Sequence, residues 1–276
     1  MAINIKNIEE SKRQLIIEDY KKGKSMRQIE KDYGVTRQSV ASFLEQIGVK
    51  ITKGNHYRKY YHNFDYFENI NTEEKAYWLG FMYADGYILD NSNRHGQDQF
   101  GITLSIVDEN HLLKFKKSIE ATNPINYDNS KKIGKPQAKI VMTSQKTVND
   151  LIKQGCYKKK TLILEPPKNI PKELLWHFIR GFFDGDGSLT HYKSQNKYDT
   201  YGINITTIYS IANWLQEITG YGTLVKDKRN EYTWYFNLGG NRQVLSFCNK
   251  MYENASIYLD RKYKRYLELK KKYNEN

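Results

Sequence analysis

The stretch "FIRGFFDGDGSL", residues 178–189, runs through apolar side chains and stops on two aspartates, each followed by glycine. Upstream, "YWLGFMYADGYI", residues 77–88, is a second apolar run that ends in Asp-Gly. Aligned on these endings, Gly80, Ala84, Asp85 and Gly86 match Gly181, Gly185, Asp186 and Gly187 at a constant offset of 101 residues. The match continues past the motif. "GITLSIVDENHLLKF" from Gly101 pairs with "GINITTIYSIANWLQ" from Gly202 at the same offset, and "AKIVMTSQKTVNDLI" from Ala138 pairs with "WYFNLGGNRQVLSFC" from Trp234 at an offset of 96. The chain therefore contains an internal repeat of about a hundred residues.

Each copy reads as helix, strand, strand, helix, strand, strand, helix. Alternating apolar residues in "ITLSI" and "INITT" predict half-buried antiparallel strands, and segments rich in Gly, Asn and Lys predict the loops. The first motif helix is signalled by Asn71 or Thr72 as cap with Glu74 in its opening turn, the second by Pro171 followed by Lys172 and Glu173. Gly80 and Ala84 lie four apart and share a helix face, as do Gly181 and Gly185. Small residues at that spacing let two helix backbones approach closely. Packed through those faces, the helices acquire a pseudo-two-fold axis, with Asp85 and Asp186 together at its base and Gly86 and Gly187 ending the helices. Two carboxylates held close repel at neutral pH unless a cation neutralises them. Hard oxygen ligands with open water positions suit a magnesium-like ion, the kind that assists phosphodiester cleavage. A lone Asp-Gly would only terminate a helix; repetition with the small pair retained reverses that reading. "DGDGSL" at 184–189 lacks the other ligands and the closing glutamate of a calcium loop.

Charge agrees with this chemistry. Lysine and arginine number 44 against 31 acidic residues, a net charge of +13, which favours a polyanionic partner. No apolar run approaches the roughly 20 residues of a spanning helix and no secretory signal is evident, so a membrane partner is not expected and a cytoplasmic location is. Cys156 and Cys248 are far apart and lack ligand-spaced companions, so they read as core thiols. Tyrosine is enriched, at 23 residues. The segments "HYRKYYHNFDYF" (56–67) and "YLDRKYKRYLELKKKY" (258–273) interleave it with basic residues, a pattern that suits phosphate neutralisation beside aromatic stacking or a solvated face whose tyrosines pack inward.

The front of the chain stands apart. "EESKRQLIIEDYKKGK" (9–24) reads as an amphipathic helix; Ser25 caps a short helix, Gly34 makes a turn, and Thr36 caps "RQSVASFLEQIG". That outline is a helix-turn-helix. Its core would be Ile29, Val35, Val40 and Phe43. Arg37, Gln38 and Ser39 would open the recognition helix and face bases, with Lys31 adding a phosphate contact. The organisation expected is residues 1–48 as this small all-α domain, 49–70 as a basic aromatic linker whose Arg58 and Lys59 touch DNA, 71–168 as the first repeat, and 169–276 as the second with a basic C-terminal helix.

At Trp78 to Gly86 and Ile179 to Gly187 the sequence resembles the LAGLIDADG homing endonucleases, in the single-chain form that carries two motifs. The resemblance in layout spans roughly residues 70–255. It implies an α+β fold of two pseudo-symmetric αββαββα repeats whose antiparallel sheets form a DNA-binding saddle, with Asp85 and Asp186 binding Mg2+, for which Mn2+ may substitute as the family allows. Asp184 falls where the family often has an acid that is not catalytic. Family members also place a basic residue near the metal from the strand before the last helix of each repeat, which makes Lys139, Lys146 and Arg242 the candidates here. The function implied is a site-specific endonuclease that makes a staggered double-strand break in a long pseudo-palindromic duplex, acting as a monomer. Alternatives of different class are a transcription regulator that has lost cutting and an RNA maturase that assists intron splicing.

Overall fold

The computed structural model describes residues 4–49, 51, 60–89, 97–129, 135–193 and 198–274. The chain divides into two compact units, one of Met1–Asn63 with Glu120–Asn123, the other of Phe64–Ile119 with Pro124–Asn276.

In the first unit, α1 (Glu10–Lys21), α2 (Met26–Tyr33) and α3 (Arg37–Gln46) follow the expected punctuation. The Ser25 side chain accepts from Gln28 N, Gly34 adopts the left-handed conformation at φ 68°, and Thr36 Oγ1 accepts from Ser39 N. These caps satisfy amide groups that a helix start leaves without partners. The core consists of Ile5, Ile16, Ile29, Val35, Val40 and Leu44. Leu44 takes the buried place expected of Phe43, which packs half-buried at the edge; one position along a helix rotates a side chain by about 100°. Ser39 also differs from expectation. Its Oγ donates to Thr36 O at 2.9 Å and accepts from Ile5 N at 3.1 Å, so the hydroxyl serves the fold of this unit, while Arg37 and Gln38 are exposed. Lys31 is exposed as well, and Arg37 pairs with Glu30 at 3.0 Å. Arg58 and Lys59 lie outside the described residues.

The second unit contains the repeats. The first is α4 (Glu73–Ala84), β1 (Gly86–Leu89), β2 (Gln99–Ser105), α5 (Glu109–Ser118), β3 (Ile125–Asp128), β4 (Gln137–Thr143) and α6 (Gln145–Lys153). The second is α7 (Leu175–Asp186), β5 (Gly187–Lys193), β6 (Asp199–Thr207), α8 (Tyr209–Thr219), β7 (Thr223–Lys226), β8 (Trp234–Leu238) and α9 (Asn241–Tyr252), followed by α10 (Asp260–Asn274). Both sheets are antiparallel with the same order, β1-β2-β4-β3 and β5-β6-β8-β7. This is the α+β, two-repeat saddle.

Alternation along the strands separates the two faces of each sheet. Phe100, Ile102, Ala138, Ile140 and Met142 are buried in the first sheet; Ile203, Ile205, Phe236 and Leu238 are buried in the second. Thr103 and Lys139, paired across β2 and β4, fall on the other face of the first sheet. Asn204 and Asn237, paired across β6 and β8 and joined at 2.6 Å, do so on the second.

One expectation about helix ends changes. Thr72 is the cap of α4, but α7 is preceded by a 3-10 turn, Lys172–Leu174, and begins only at Leu175. The helices end at Gly86 and Gly187 as expected, and each glycine is also the first residue of a strand. Their lack of a side chain relieves crowding: a Cβ at Gly86 would lie 2.7 Å from Met82 Cα, and one at Gly187 would lie 2.6 Å from Phe183 O.

The end of the expected linker, from Phe64, belongs to the second unit. Phe67 and Ile70 are buried, Tyr66 Oη donates to Glu74 Oε1, and Gln154 Nε2 donates to the carbonyls of Phe67 and Glu68. The segment is a strap that covers α6, and its Tyr66 and Phe67 pack into the unit. In α10 the tyrosines likewise turn inward: Tyr266 is buried and stacks on Tyr252 with centroids 4.7 Å apart.

Candidate active site

The site begins with the contact between α4 and α7. Every residue from Ala76 to Tyr83 is buried, because α4 is enclosed on all sides, and a helix so placed must be apolar all round. A Cβ on Gly80 would lie 2.0 Å from Phe178 O, and one on Gly181 would lie 1.9 Å from Tyr77 O. Position 178 is the 101-residue equivalent of 77, so the two contacts are the same contact seen from either side of the pseudo-two-fold axis. A Cβ on Gly185 would fall 2.3 Å from Ala84 Cβ and 3.4 Å from Asp85 Oδ2. The Asp85 carboxylate thus lies against the backbone of α7 one residue before Asp186.

The two aspartates sense each other. Burial pushes Asp85 upward, with Lys262 and Lys160 opposing the shift. Asp186 keeps an exposed surface but is surrounded by the bulk of the unit; loss of water around it, and then the charge of Asp85, push its carboxyl up to about 7. Among the described residues, neither carboxylate has a hydrogen-bond or ion-pair partner. Two adjacent carboxylates with every oxygen open are a donor set that fits a hard divalent cation, the remaining ligands coming from water or a bound phosphate. The described residues contain no cluster of three or more His, Cys, Asp or Glu side chains able to hold a metal ion.

Two lysines face the pair without binding it. Lys160 Nζ donates to the carbonyls of Met82, Tyr83 and Ala84, and Lys262 Nζ to those of Phe183, Asp184 and Gly187, all at 2.5–2.8 Å. A helix C-terminus leaves its last carbonyls unpaired and carries partial negative charge, so an ammonium group there satisfies both. Burial lowers both lysines, Lys262 to about 8, against the opposing pull of the aspartates.

Neither lysine was among the basic residues expected at the centre. Lys139 lies on the outward face of β4, Lys146 is tied to Asp65, Glu68 and Asp150, and Arg242 is exposed in the first turn of α9. Strand direction and existing ion pairs, respectively, keep the first two from the aspartates. Lys160 and Lys262 are 102 residues apart, close to the 101-residue offset of the motifs, but Lys146 and Arg242 stand at the 96-residue offset of their own segment, so spacing alone does not single out one pair.

Around this centre the second repeat carries buried polar groups that the first lacks. Arg180, fully buried, donates to Ile257 O at 3.0 Å and Met251 O at 2.7 Å and pairs with Glu73 at the start of α4. Asp184 Oδ2 accepts from Tyr77 Oη at 2.7 Å and from Leu259 N at 2.8 Å. Tyr77 Oη in turn lies 2.9 Å from His111 Nε2, which acts as the donor there when the hydroxyl proton goes to Asp184. Burial holds His111 down at about 3.

No family model and no curated protein matches the chain. Solved structures do. The LAGLIDADG homing endonuclease I-SmaMI bound to cleaved DNA aligns with a TM-score of 0.52 at 14% identity, over 74% of this chain and 89% of that one. I-GzeII, also a LAGLIDADG homing endonuclease and in complex with its DNA target, gives 0.51 at 15% identity, over 71% and 88%. I-SmaMI bound to uncleaved DNA in the presence of calcium ions gives 0.51 at 16%, over 73% and 90%. The fold is that of the LAGLIDADG homing endonucleases.

Proposed function

We propose that the protein is a site-specific DNA endonuclease that makes a staggered double-strand break in a long pseudo-palindromic target by metal-dependent phosphodiester hydrolysis. The observation that carries this reading is the pair of carboxylates, Asp85 and Asp186, without partners among the described residues and brought to one point by two helices that a pseudo-two-fold axis relates. One chain supplies both halves of the site, which suits a monomer acting on two strands.

Asp85 and Asp186 would hold the ion. When bound, Mg2+, or Mn2+ in its place, supplies positive charge at the scissile phosphate and makes water more acidic. Lys160 and Lys262 fix the two helix ends and add positive charge where the phosphate charge rises in the transition state. The outward faces of the sheets, with Thr103, Lys139, Asn204 and Asn237, present donors and acceptors suited to base edges and phosphates. In the N-terminal unit, Arg37, Gln38 and Lys31 are the exposed side chains suited to a flanking DNA contact. The intact carboxylates, unpaired among the described residues, favour cutting over a regulator that only binds. The described residues contain no helix long and apolar enough to cross a membrane.

The test is incubation of the protein, with Mg2+, with a duplex of its own locus that lacks the inserted element. A double-strand break near the centre of the protected region is expected, with binding but no break in Ca2+. Absence of a break, or a break that survives a chelator, would overturn the reading.

A further inference from the structure

Tyr83 and Asp184 occupy equivalent places on α4 and α7, two residues before Asp85 and Asp186 and 101 residues apart. They are chemically opposite, one a hydroxyl donor and the other a carboxylate acceptor. Tyr83 Oη donates to Gln154 O at 2.7 Å; Asp184 Oδ2 accepts from Leu259 N at 2.8 Å. Each bond meets the main chain shortly before a lysine that caps a motif helix. Gln154 is the C-cap of α6, six residues before Lys160; Leu259 immediately precedes α10, three residues before Lys262.

The geometry points to Tyr83 and Asp184 as positioning residues, each pinning the segment that brings the lysine of its own repeat to the catalytic centre. The difference in chemistry follows from the difference in segment. In the first repeat the lysine comes after a helix, whose end offers an unpaired carbonyl, and a hydroxyl answers it. In the second the lysine lies inside the first turn of a helix, whose start offers an unpaired amide in a positive field, and a carboxylate answers that. Leu259 O accepts from Lys262 N and Tyr263 N at 3.0 Å each, as the residue that opens a helix does. Tyr77 supplies a control. It donates a separate hydrogen bond to Asp184, while its own equivalent, Phe178, has no hydroxyl. The catalytic part of this inference rests on the endonuclease reading; the pinning does not.

The experiment is limited acetylation of the full chain with N-acetoxysuccinimide, without DNA or metal, with each lysine followed by peptide mass spectrometry. Lys160 and Lys262 should label slowly in the wild type. Tyr83→Phe should speed labelling of Lys160 by about three- to tenfold, the loosening one lost hydrogen bond provides, and leave Lys262 unchanged. Asp184→Ala should do the reverse, while Asp184→Asn, which keeps an oxygen for Leu259 N, and Tyr77→Phe should stay near wild type. Equal labelling of both lysines in Tyr83→Phe, whether raised or unraised, would overturn the inference. That variant loses a single oxygen, so it decides the matter if Asp184→Ala does not fold. On a cleavable duplex Tyr83→Phe and Asp184→Ala should bias nicking toward opposite strands, and an unbiased slowing would make both residues merely structural. A failed cutting experiment with the wild type would leave the labelling result standing.

Discussion

In the first repeat, α6 runs into a short loop that delivers Lys160 on a 3-10 turn; in the second, α9 is followed by a turn and a further helix, α10, that delivers Lys262. The two ammonium groups nevertheless end in the same chemical place, each across three carbonyls at the end of a motif helix. Elsewhere the halves diverge. Arg180 is buried in α7 with Glu73 as partner, where the equivalent residue in α4 is Leu79. Glycine at 185 faces alanine at 84. Symmetry is kept where helix backbones touch and where charge meets the aspartates, and relaxed in the scaffold that supports them. Physical constraint explains the division. Backbone contact at about 2 Å from a hypothetical Cβ admits no side chain, whereas a lysine can be delivered along any path that ends correctly.

The largest effect should come from the contact itself. Gly80→Leu and Gly181→Leu should each destabilise the second unit by about 3 kcal/mol or more through overpacking, as read by denaturant unfolding. Because the contact is reciprocal, the two losses should be similar; a strong inequality would break the pseudo-symmetry where it is claimed to be tightest.

Next is the equivalence of the lysines. Lys160→Met and Lys262→Met should each slow cutting by roughly 100-fold, about 2.7 kcal/mol, with target binding held. A large loss from one and none from the other would show that only one half carries this chemistry.

The repeat, the strand and helix order and the small-residue faces were legible because they rest on local patterns that recur at a fixed spacing. Lys160 was not, because it ends the run "YKKK" at 157–160, and only the path of the loop decides which of its three lysines reaches the helix end. The Phe64–Ile70 strap was hidden by the basic residues before it; its apolar side chains gain meaning only when α6 lies beneath them. The hydrogen bonds of Ser39 are not legible locally, because the partner that draws its hydroxyl inward, Ile5 N, lies 34 residues away. Asp184 looked like part of the motif, and the amide it holds is 75 residues distant.

A smaller effect tests the asymmetric clamp. Glu73→Ala should cost about 2 kcal/mol of unfolding free energy, since it leaves the buried Arg180 guanidinium without its carboxylate. Arg180→Leu, which installs the first repeat's residue and removes the charge together with its need for a partner, should cost less. The opposite order would mean that the pair itself, rather than the stranded charge, dominates.

The smallest effect concerns the N-terminal unit. Arg37→Ala should weaken binding to the full target modestly and lower the log–log salt slope by roughly one unit if its contact is to phosphate. Deleting residues 1–48 should also shorten the footprint at one end. An unchanged footprint and slope would assign the three helices to packing or to a protein partner.

The central claim is that the two repeats build one shared centre for cleavage, and the most direct measurement compares wild type, Asp85→Asn and Asp186→Asn on the same target duplex in Mg2+. Both variants should bind near normally and make no double-strand break, because each removes an ion ligand rather than a DNA contact; nicking of one strand by a single variant is consistent with that. Full double-strand cutting by either variant would contradict the account.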